Sequence, residues 1–297
     1  MNLEEWIEIG IRSGTVMKQE IEEKTFEEVY KQWFLMKLNV IKAQSCDRIE
    51  VTYNRYYADS WFVKQNVSAL DESAVIRFLT GIIVRRGDIT AKEFRRIYQI
   101  VNNVLVYARF LELGGVRLFD WEMIRRYVPE GKMLPKLHKE FAVPRADIEK
   151  LLRLVVEENI YPRKRSASLC LVLNFFLGLR VGELASLTWQ DVDLSCRVVR
   201  IYKTETKAYN RDETGERCGP MVYQVVEDVK TFYSVREVPL LPEAVYILEE
   251  LREHHQQNGY KSQYLAYDGR DTILVRSLDR TLPKLCRYCD VKYFNTH

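Results

Sequence analysis

The sequence lacks an apolar run long enough to cross a membrane. The longest such run, LCLVLNFFLGL from Leu169 to Leu179, is about half of the roughly 20 residues that a membrane-spanning helix needs. The start of the chain, MNLEEWIEIG, is acidic and lacks the basic and then apolar regions of a signal peptide. We therefore expect a cytoplasmic protein with no membrane partner.

The sequence also has little net charge and few cysteines. Lys and Arg total 45 against 42 Asp and Glu, and a net charge of +3 is too small to indicate nucleic-acid binding by itself. Six scattered cysteines fit reduced thiols. Cys286 and Cys289 form a C-x-x-C pair with His297 further on, but a second ligand pair at matching spacing is absent. We expect packed helical cysteines and no metal, with a zinc knuckle as the alternative.

A phosphate-binding loop of the form G-x-x-x-x-G-K-[ST] is missing too, so we expect neither a nucleotide nor another cofactor. What is present is a globular composition: 47% of residues are apolar, and 18 Tyr, 12 Phe and 5 Trp can build a sizeable core. The length of 297 residues suits two domains of ordinary size.

The first of these domains is predicted to be entirely helical. Thr25 and Glu28 fit a capping box, and Thr90 and Glu93 fit a second one before the clearest helix. That helix has apolar residues at helical spacing, at Phe94, Ile97, Val101, Val104, Leu105, Ala108 and Leu111. Its polar residues, which include Arg95, Arg96 and Asn103, suit phosphate contacts. An ordinary solvated face is the alternative.

A basic stretch follows, RRYVPEGKMLPKLHKEFAVPR, which contains Lys132, Lys136 and Lys139 and three prolines. Proline and glycine break helices, so we predict a linker at residues 131–145. Such a linker can track a phosphate backbone, or it is merely soluble. The predicted divisions are an N-terminal extension at 1–23, a helical domain at 24–130, this linker, and a second domain at 146–297.

The second domain is predicted to be α-rich with one small antiparallel sheet. A nearly all-apolar helix, ASLCLVLNFFLGL, precedes three strand-like runs, RVVRIY, MVYQVVEDV and REVPLL. The stretch KTETKAYNRDETGERCG is polar and reads as a long insertion in that sheet. The predicted fold class of the whole chain is therefore mainly α with a small antiparallel β-sheet.

The stretch FFLGLRVGELASLTWQDVDL contains the residues that point to chemistry. A buried helix leads into Gly178, so Arg180 is expected deep in an apolar environment, where it keeps its charge and needs an anion. Glu183 stands one helical turn later and can orient Arg180 through a charge-assisted pair. The remaining guanidinium donors would then face a phosphate. A buried Arg–Glu pair without chemistry is the alternative.

This stretch resembles the first catalytic-arginine motif of the tyrosine recombinases, the phage and conjugative-transposon integrases. The likeness includes Gly-Leu-Arg, the Glu three residues on, the Leu-x-x-Leu spacing and the ending Trp-x-Asp-Val-Asp. VKTFYSVREVPL resembles the hairpin that carries the family's catalytic lysine, which places that lysine at Lys230; Lys203 and Lys207 are competitors. YFNTH fits the first residue of the family's His-x-x-Arg motif, so His297 is expected to be the catalytic histidine.

The resemblance implies a two-domain clamp, with a helical SAM-like core-binding domain at 24–130 and a catalytic domain at 146–297. It also implies double-stranded DNA as the partner, a dimer or tetramer on DNA, and recombination through a 3′-phosphotyrosine intermediate. The second catalytic Arg and the Tyr nucleophile would follow His297. We therefore expect this chain, truncated before them, to bind DNA without cleaving it. An inactive DNA-binding regulator or decoy of the same family is the alternative.

Overall fold

The computed structural model describes residues 23–134, 143–227, 235–269 and 275–294. These residues are mostly helical, with small antiparallel sheets, and they form two compact units. The first unit contains residues 23–134 and also Tyr209–Pro220, and the second contains the other described residues. Across the described ranges, no helix is both long and apolar enough to cross a membrane.

The described residues of the first unit contain five helices. They are α1 (Phe26–Leu38), α2 (Ala43–Tyr56), α3 (Glu72–Arg86), α4 (Ala91–Phe110) and α5 (Trp121–Arg126), with short 3-10 turns at Trp61–Lys64 and Glu130–Lys132. The predicted apolar stripe of α4 faces the core, since Phe94, Ile97 and Val101 are buried. Aromatic rings dominate that core: Tyr30 and Tyr53 stack with their ring centroids 3.5 Å apart.

The two predicted capping boxes differ in the structure. At α1 the box is complete, because Thr25 accepts from the Glu28 amide and the Glu28 carboxylate accepts from the Thr25 amide. At α4 only the Thr90 half forms. The Glu93 carboxylate instead accepts from the guanidinium of Arg55 and the hydroxyl of Tyr56, so the reciprocal bond is lost to partners on α2.

The second unit is built around one buried helix. Its helices are α6 (Arg145–Leu151, continued by a π turn at Leu152–Glu157), α7 (Arg165–Leu177), α8 (Val181–Ser186), α9 (Pro242–Gln257) and α10 (Val275–Tyr288). Helix α7 is the apolar helix predicted from the sequence, and Leu169, Cys170 and Leu173 have no exposed surface. Helices α9 and α10 both pack against it. The core of this unit therefore lies around α7.

Two small antiparallel sheets complete the described chain. β1 (Val192–Asp193), β2 (Val198–Ile201) and β5 (Arg236–Pro239) form one sheet in the order β1-β2-β5, with Ile201 opposite Arg236. β3 (Thr204–Arg211) and β4 (Arg217–Val226) pair separately as a two-stranded ribbon. The polar insertion predicted between strands is thus itself mostly strand. Its side chains do not alternate between buried and exposed, which is why period-2 patterning missed it.

Candidate active site around Glu183

The turn between α7 and α8 positions the first candidate residue. Helix α7 ends at Gly178, whose φ of 61° lies in the left-handed region that favours glycine. The Asn174 side chain then holds the turn: its Oδ1 accepts from the Leu179 amide at 2.9 Å and its Nδ2 donates to the Leu179 carbonyl at 3.0 Å. Arg180 follows as the extended N-cap residue of α8.

The expectation that Arg180 is buried is wrong. Its side chain is 61% exposed, whereas that of Glu183 is 2% exposed. The apolar residues around Arg180 in the sequence suggested burial, but the turn after Gly178 places Arg180 at the start of α8, at the edge of the core. The carboxylate, rather than the guanidinium, is the buried member of the pair. An exposed guanidinium can reach a ligand without leaving its partner.

Glu183 accepts hydrogen bonds from two arginines. Arg180 donates to it through its backbone amide at 3.0 Å and its Nη1 at 2.9 Å, and Arg236 donates through Nη2 at 2.8 Å and Nη1 at 3.3 Å. Burial raises the pKa of Glu183, but the hydrogen bonds from Arg236 and Arg180 outweigh it and lower the pKa below its ordinary value. Glu183 is therefore a buried carboxylate held in its charged form.

Arg236 is the residue that sequence reasoning missed. It begins β5 and is the arginine of the stretch VKTFYSVREVPL. In the structure it donates hydrogen bonds to both carboxylate oxygens of Glu183. Glu183 therefore brings two guanidinium groups together at this spot, and guanidinium groups suit the recognition of an anionic ligand.

Gly182 lets α8 approach the first residues of β3. A Cβ atom at this position would lie 2.5 Å from Thr204 Oγ1 and 2.9 Å from the Glu205 carbonyl, closer than real contacts allow. Ser186 on the same helix donates to the Lys203 carbonyl at 3.1 Å. The glycine of the Arg-Val-Gly-Glu sequence is thus required by close backbone approach rather than by an unusual φ.

Of the three lysine candidates, Lys203 is taken up by a buried ion pair. Its Nζ lies 2.7 Å from Asp191 Oδ2 and 2.9 Å from Thr188 Oγ1, and its side chain is 12% exposed. The Asp191 carboxylate also accepts from the backbone amide and the hydroxyl of Thr188. Lys203 therefore holds the Thr-Trp-Gln-Asp turn against β2. Lys230 and His297 lie outside the described residues, and so do Lys136 and Lys139.

The other predicted DNA-binding residues lie on the first unit. Arg95, Arg96 and Asn103 are all exposed on α4, and Lys132 is exposed at the end of the described N-terminal stretch. Exposure leaves these side chains accessible to a ligand. Their role in binding stays a prediction.

The cysteine pair of α10 is packed into the core of the second unit. Cys286 and Cys289 are both buried. Burial raises the pKa of Cys286, and it raises that of Cys289 to about 11, which disfavours the thiolate that zinc requires. Within the described ranges, no group of three or more metal-ligating side chains comes together.

Comparison with known proteins identifies the class of this fold. The structure of the Tn1549 transposon integrase with transposon right end DNA superposes with a TM-score of 0.63 at 15% identity, over 89% of this chain and 78% of that one. A lambda integrase tetramer bound to a Holliday junction superposes with a TM-score of 0.56 at 11% identity, over 97% of this chain and 72% of that one. The fold is that of these integrases.

The sequence gives the family itself. The chain belongs to the phage integrase family, whose pattern it matches over residues 143–297, the stretch that contains Arg180, Glu183 and Arg236. A curated relative, the XerC-like tyrosine recombinase of Caldanaerobacter subterraneus subsp. tengcongensis, is 30% identical over 114 residues. That match covers 37% of this chain and 28% of the relative, so the chain aligns with less than a third of that protein.

Proposed function

We propose that this chain acts in site-specific DNA recombination, the breaking and rejoining of DNA strands through a 3′-phosphotyrosine intermediate. Membership of the phage integrase family supports this proposal. The observation that carries it is the pairing of buried Glu183 with exposed Arg180 and half-buried Arg236. This arrangement fixes the backbone amide and the Nη1 atom of Arg180 and leaves its other guanidinium donors to an anion.

Arg180 would bind a non-bridging oxygen of the scissile phosphate. Only one of its guanidinium nitrogens, Nη1, is used by Glu183. The donors that remain can stabilise the charge that builds on the phosphate during transfer, without reorganisation at the moment of reaction. Because arginine keeps its proton at any ordinary pH, Arg180 serves as an electrostatic group and not as a proton donor.

The remaining steps belong to residues that are proposed from the family resemblance. Lys230 would protonate the leaving 5′-oxygen as a general acid, and His297 would join Arg180 at the phosphate. That Lys203 is engaged with Asp191 supports the assignment of the acid to Lys230 rather than Lys203. The nucleophile would be a tyrosine that follows His297 in the family. It would form the covalent bond to the 3′-phosphate and release the 5′-hydroxyl.

DNA binding is proposed to use both domains and the linker between them. A core-binding domain at 24–130, a basic linker at 131–145 and a catalytic domain at 146–297 would clamp the duplex as a dimer or tetramer. Arg95, Arg96 and Asn103, with Lys132, Lys136 and Lys139, would contact phosphates. Relatives of known structure hold DNA, which supports the partner. Binding through many phosphates weakens steeply as salt rises.

The test of the site uses residues 1–297 and a labelled duplex of mixed sequence. Replacing Arg180 by alanine should reduce the slope of log Kd against log salt by about 1, the effect of losing one phosphate contact. Arg200 provides the matched control, since its side chain is 60% exposed and pairs with Glu237 on the surface. An Arg180→Ala slope equal to that of Arg200→Ala would refute the phosphate contact.

A second measurement addresses cleavage by the polypeptide of residues 1–297. A nicked suicide duplex traps a phosphotyrosyl adduct when a strand is cut, and the adduct runs as a slower band on a denaturing gel. We propose that this polypeptide forms no adduct although it binds the duplex. An adduct would overturn the proposed lack of cleavage and leave the proposed duplex binding standing.

A further inference from the structure

The tip of the β3–β4 ribbon, Tyr209–Pro220, belongs to the first unit, far from it in sequence. Arg211 makes the central contact, with a side chain only 7% exposed. Its Nη2 lies 2.6 Å from Asp47 Oδ1 and 2.7 Å from Glu50 Oε2, both on α2. An arginine from the insertion is thus buried between two carboxylates of the helical unit.

A second arginine and a backbone amide reinforce the same contact. Arg217 donates from Nε to Glu50 Oε2 at 2.6 Å, and its guanidinium lies over the Tyr209 ring at 4.1 Å. The Tyr209 amide donates to Asp47 Oδ2 at 3.2 Å. Two arginines meet two carboxylates, so this cluster is formally neutral. The contact has the composition of a recognition site rather than of an accidental surface pair.

Apolar side chains of α1 also contact the hairpin tip. The Arg211 guanidinium lies 5.2 Å from the centroid of the Phe34 ring on α1. Gly215, with a φ of 83°, lies so close to α1 that a Cβ atom there would be 2.8 Å from a Leu35 methyl carbon and 3.0 Å from a Leu38 methyl carbon. The turn of the ribbon therefore fits against α1 while its arginines reach α2.

The donors of Arg211 are either paired or enclosed inside the protein. Nη1 donates to the Gly215 carbonyl at 2.8 Å, Nη2 donates to both carboxylates, and Nε is buried without a hydrogen-bond partner. Burial alone would lower the pKa of Arg211, but the hydrogen bonds that it donates to Glu50 and Asp47 raise the pKa above its ordinary value. No donor of this guanidinium is left at the surface for a DNA phosphate.

We propose that Asp47, Glu50 and Phe34 form an arginine-binding pocket of the helical unit, and that the inserted hairpin exists to dock there through Arg211 and Arg217. A two-stranded ribbon is marginally stable by itself, so an anchored tip gives it a fixed place. The insertion is then a docking element, and its arginines do not bind DNA. The docking stands apart from the recombination function and survives if that function is disproved.

Hydrogen exchange on the whole chain tests the docking without DNA. In Arg211→Ala, amides of residues 204–226 and of α2 should exchange at least about tenfold faster, because docking no longer protects them. Glu213→Ala is the matched control, because Glu213 is exposed in the same turn and its replacement should leave exchange unchanged.

Arg217→Lys is the milder second variant, which keeps the charge and loses the Nε contact. Its exchange should rise by a smaller factor. Unchanged exchange in both arginine variants overturns the proposal.

Salt dependence of binding to the labelled duplex separates docking from DNA contact. The slope of log Kd against log salt should be the same for the unmodified chain and for Arg217→Lys and Arg217→Ala. A slope reduced by about 1 in Arg217→Ala, with hydrogen exchange unchanged, would mean that the arginine binds a phosphate instead. That result would overturn the proposal.

Discussion

Two clusters in this protein each join arginines to carboxylates, and they differ in how far the arginines are exposed. Around Glu183, one carboxylate serves Arg180 and Arg236, and the Arg180 side chain is 61% exposed. At the hairpin tip, Asp47 and Glu50 serve Arg211 and Arg217, and the Arg211 side chain is 7% exposed. The first cluster has an arginine that faces the surface, whereas the central arginine of the second is enclosed.

The difference shows how to separate a binding arginine from a structural one. Both kinds occur beside buried carboxylates, and both have strong hydrogen bonds. What distinguishes them is the exposure of the guanidinium. A binding arginine is oriented by a buried acid and keeps donors for a ligand. A structural arginine has used its donors inside the fold, so its loss affects stability more than binding.

The largest stability effect is expected at the hairpin tip. Replacing Arg211 by alanine leaves Asp47 and Glu50 buried with only Arg217 to compensate them. Breaking a buried pair in this way costs about 3–5 kcal/mol in the free energy of unfolding. Urea unfolding followed by circular dichroism measures it. A cost below about 1 kcal/mol would place Arg211 among ordinary surface ion pairs and remove the contrast between the clusters.

Replacing Glu183 by alanine should cost less, about 2 kcal/mol, the scale of losing hydrogen bonds to charged groups. The smaller figure follows from exposure, since water can solvate Arg180 and reach the half-buried Arg236 once the carboxylate is gone. The same urea assay measures it. Glu237→Ala is the control, because Glu237 is 60% exposed and its replacement should change stability little. A cost larger than that of Arg211→Ala would reverse the comparison.

Replacing Arg236 by alanine should cost about 1 kcal/mol and change the pH dependence of stability. Burial raises the pKa of Glu183 in the folded chain. The hydrogen bonds from Arg236 and Arg180 outweigh burial, so the pKa lies below its ordinary value. Its ionic contribution is therefore present above the unfolded pKa and is lost as pH falls through the folded pKa. Without Arg236 the folded pKa rises, so this loss should begin at higher pH in the variant.

Unfolding free energies measured from pH 7 down to pH 3 give the check. The gap between the unmodified chain and Arg236→Ala should be full near neutral pH and should shrink below the ordinary carboxyl range. A gap that stays constant over the whole range would show that Arg236 acts on stability without ionic contact to Glu183.

The smallest stability effect is expected for Arg180. Its alanine variant should unfold at nearly the same urea concentration as the unmodified chain, because the guanidinium is exposed and exposed pairs contribute little. The salt slope of duplex binding, by contrast, should fall by about 1. A large loss of stability with an unchanged slope would move Arg180 into the structural class with Arg211.

The sequence predicts only part of the cluster around Glu183. Arg180 and Glu183 are three residues apart, so a helical turn brings them together, and the pairing was predictable. The exposure of Arg180 and the burial of Glu183 were not predictable. The apolar neighbours of Arg180 indicated a buried position and gave no sign of the turn that Gly178 and Asn174 make. Arg236 reaches Glu183 across 53 residues, and nothing local indicates its partner.

The hairpin tip lay further beyond prediction. Arg211 and Asp47 are 164 residues apart, and the stretch that carries Arg211 is polar, without a buried face that patterning detects. The helices of both units were predictable, because α4 and α7 have long apolar patterns. The catalytic roles of Lys230 and His297 stay predictions from resemblance, and the domain boundaries stay predictions from the sequence pattern.

The separation of Asp47 from Arg211 also affects how the chain is made. A ribosome that adds about 5–20 residues per second delivers Arg211 on the order of ten to thirty seconds after Asp47. During that interval α1 and α2 can assemble, but Asp47 and Glu50 have no arginine between them. The hairpin tip is thus the last segment of the first unit to be synthesised. The first unit can be completed only after synthesis has reached the middle of the second unit.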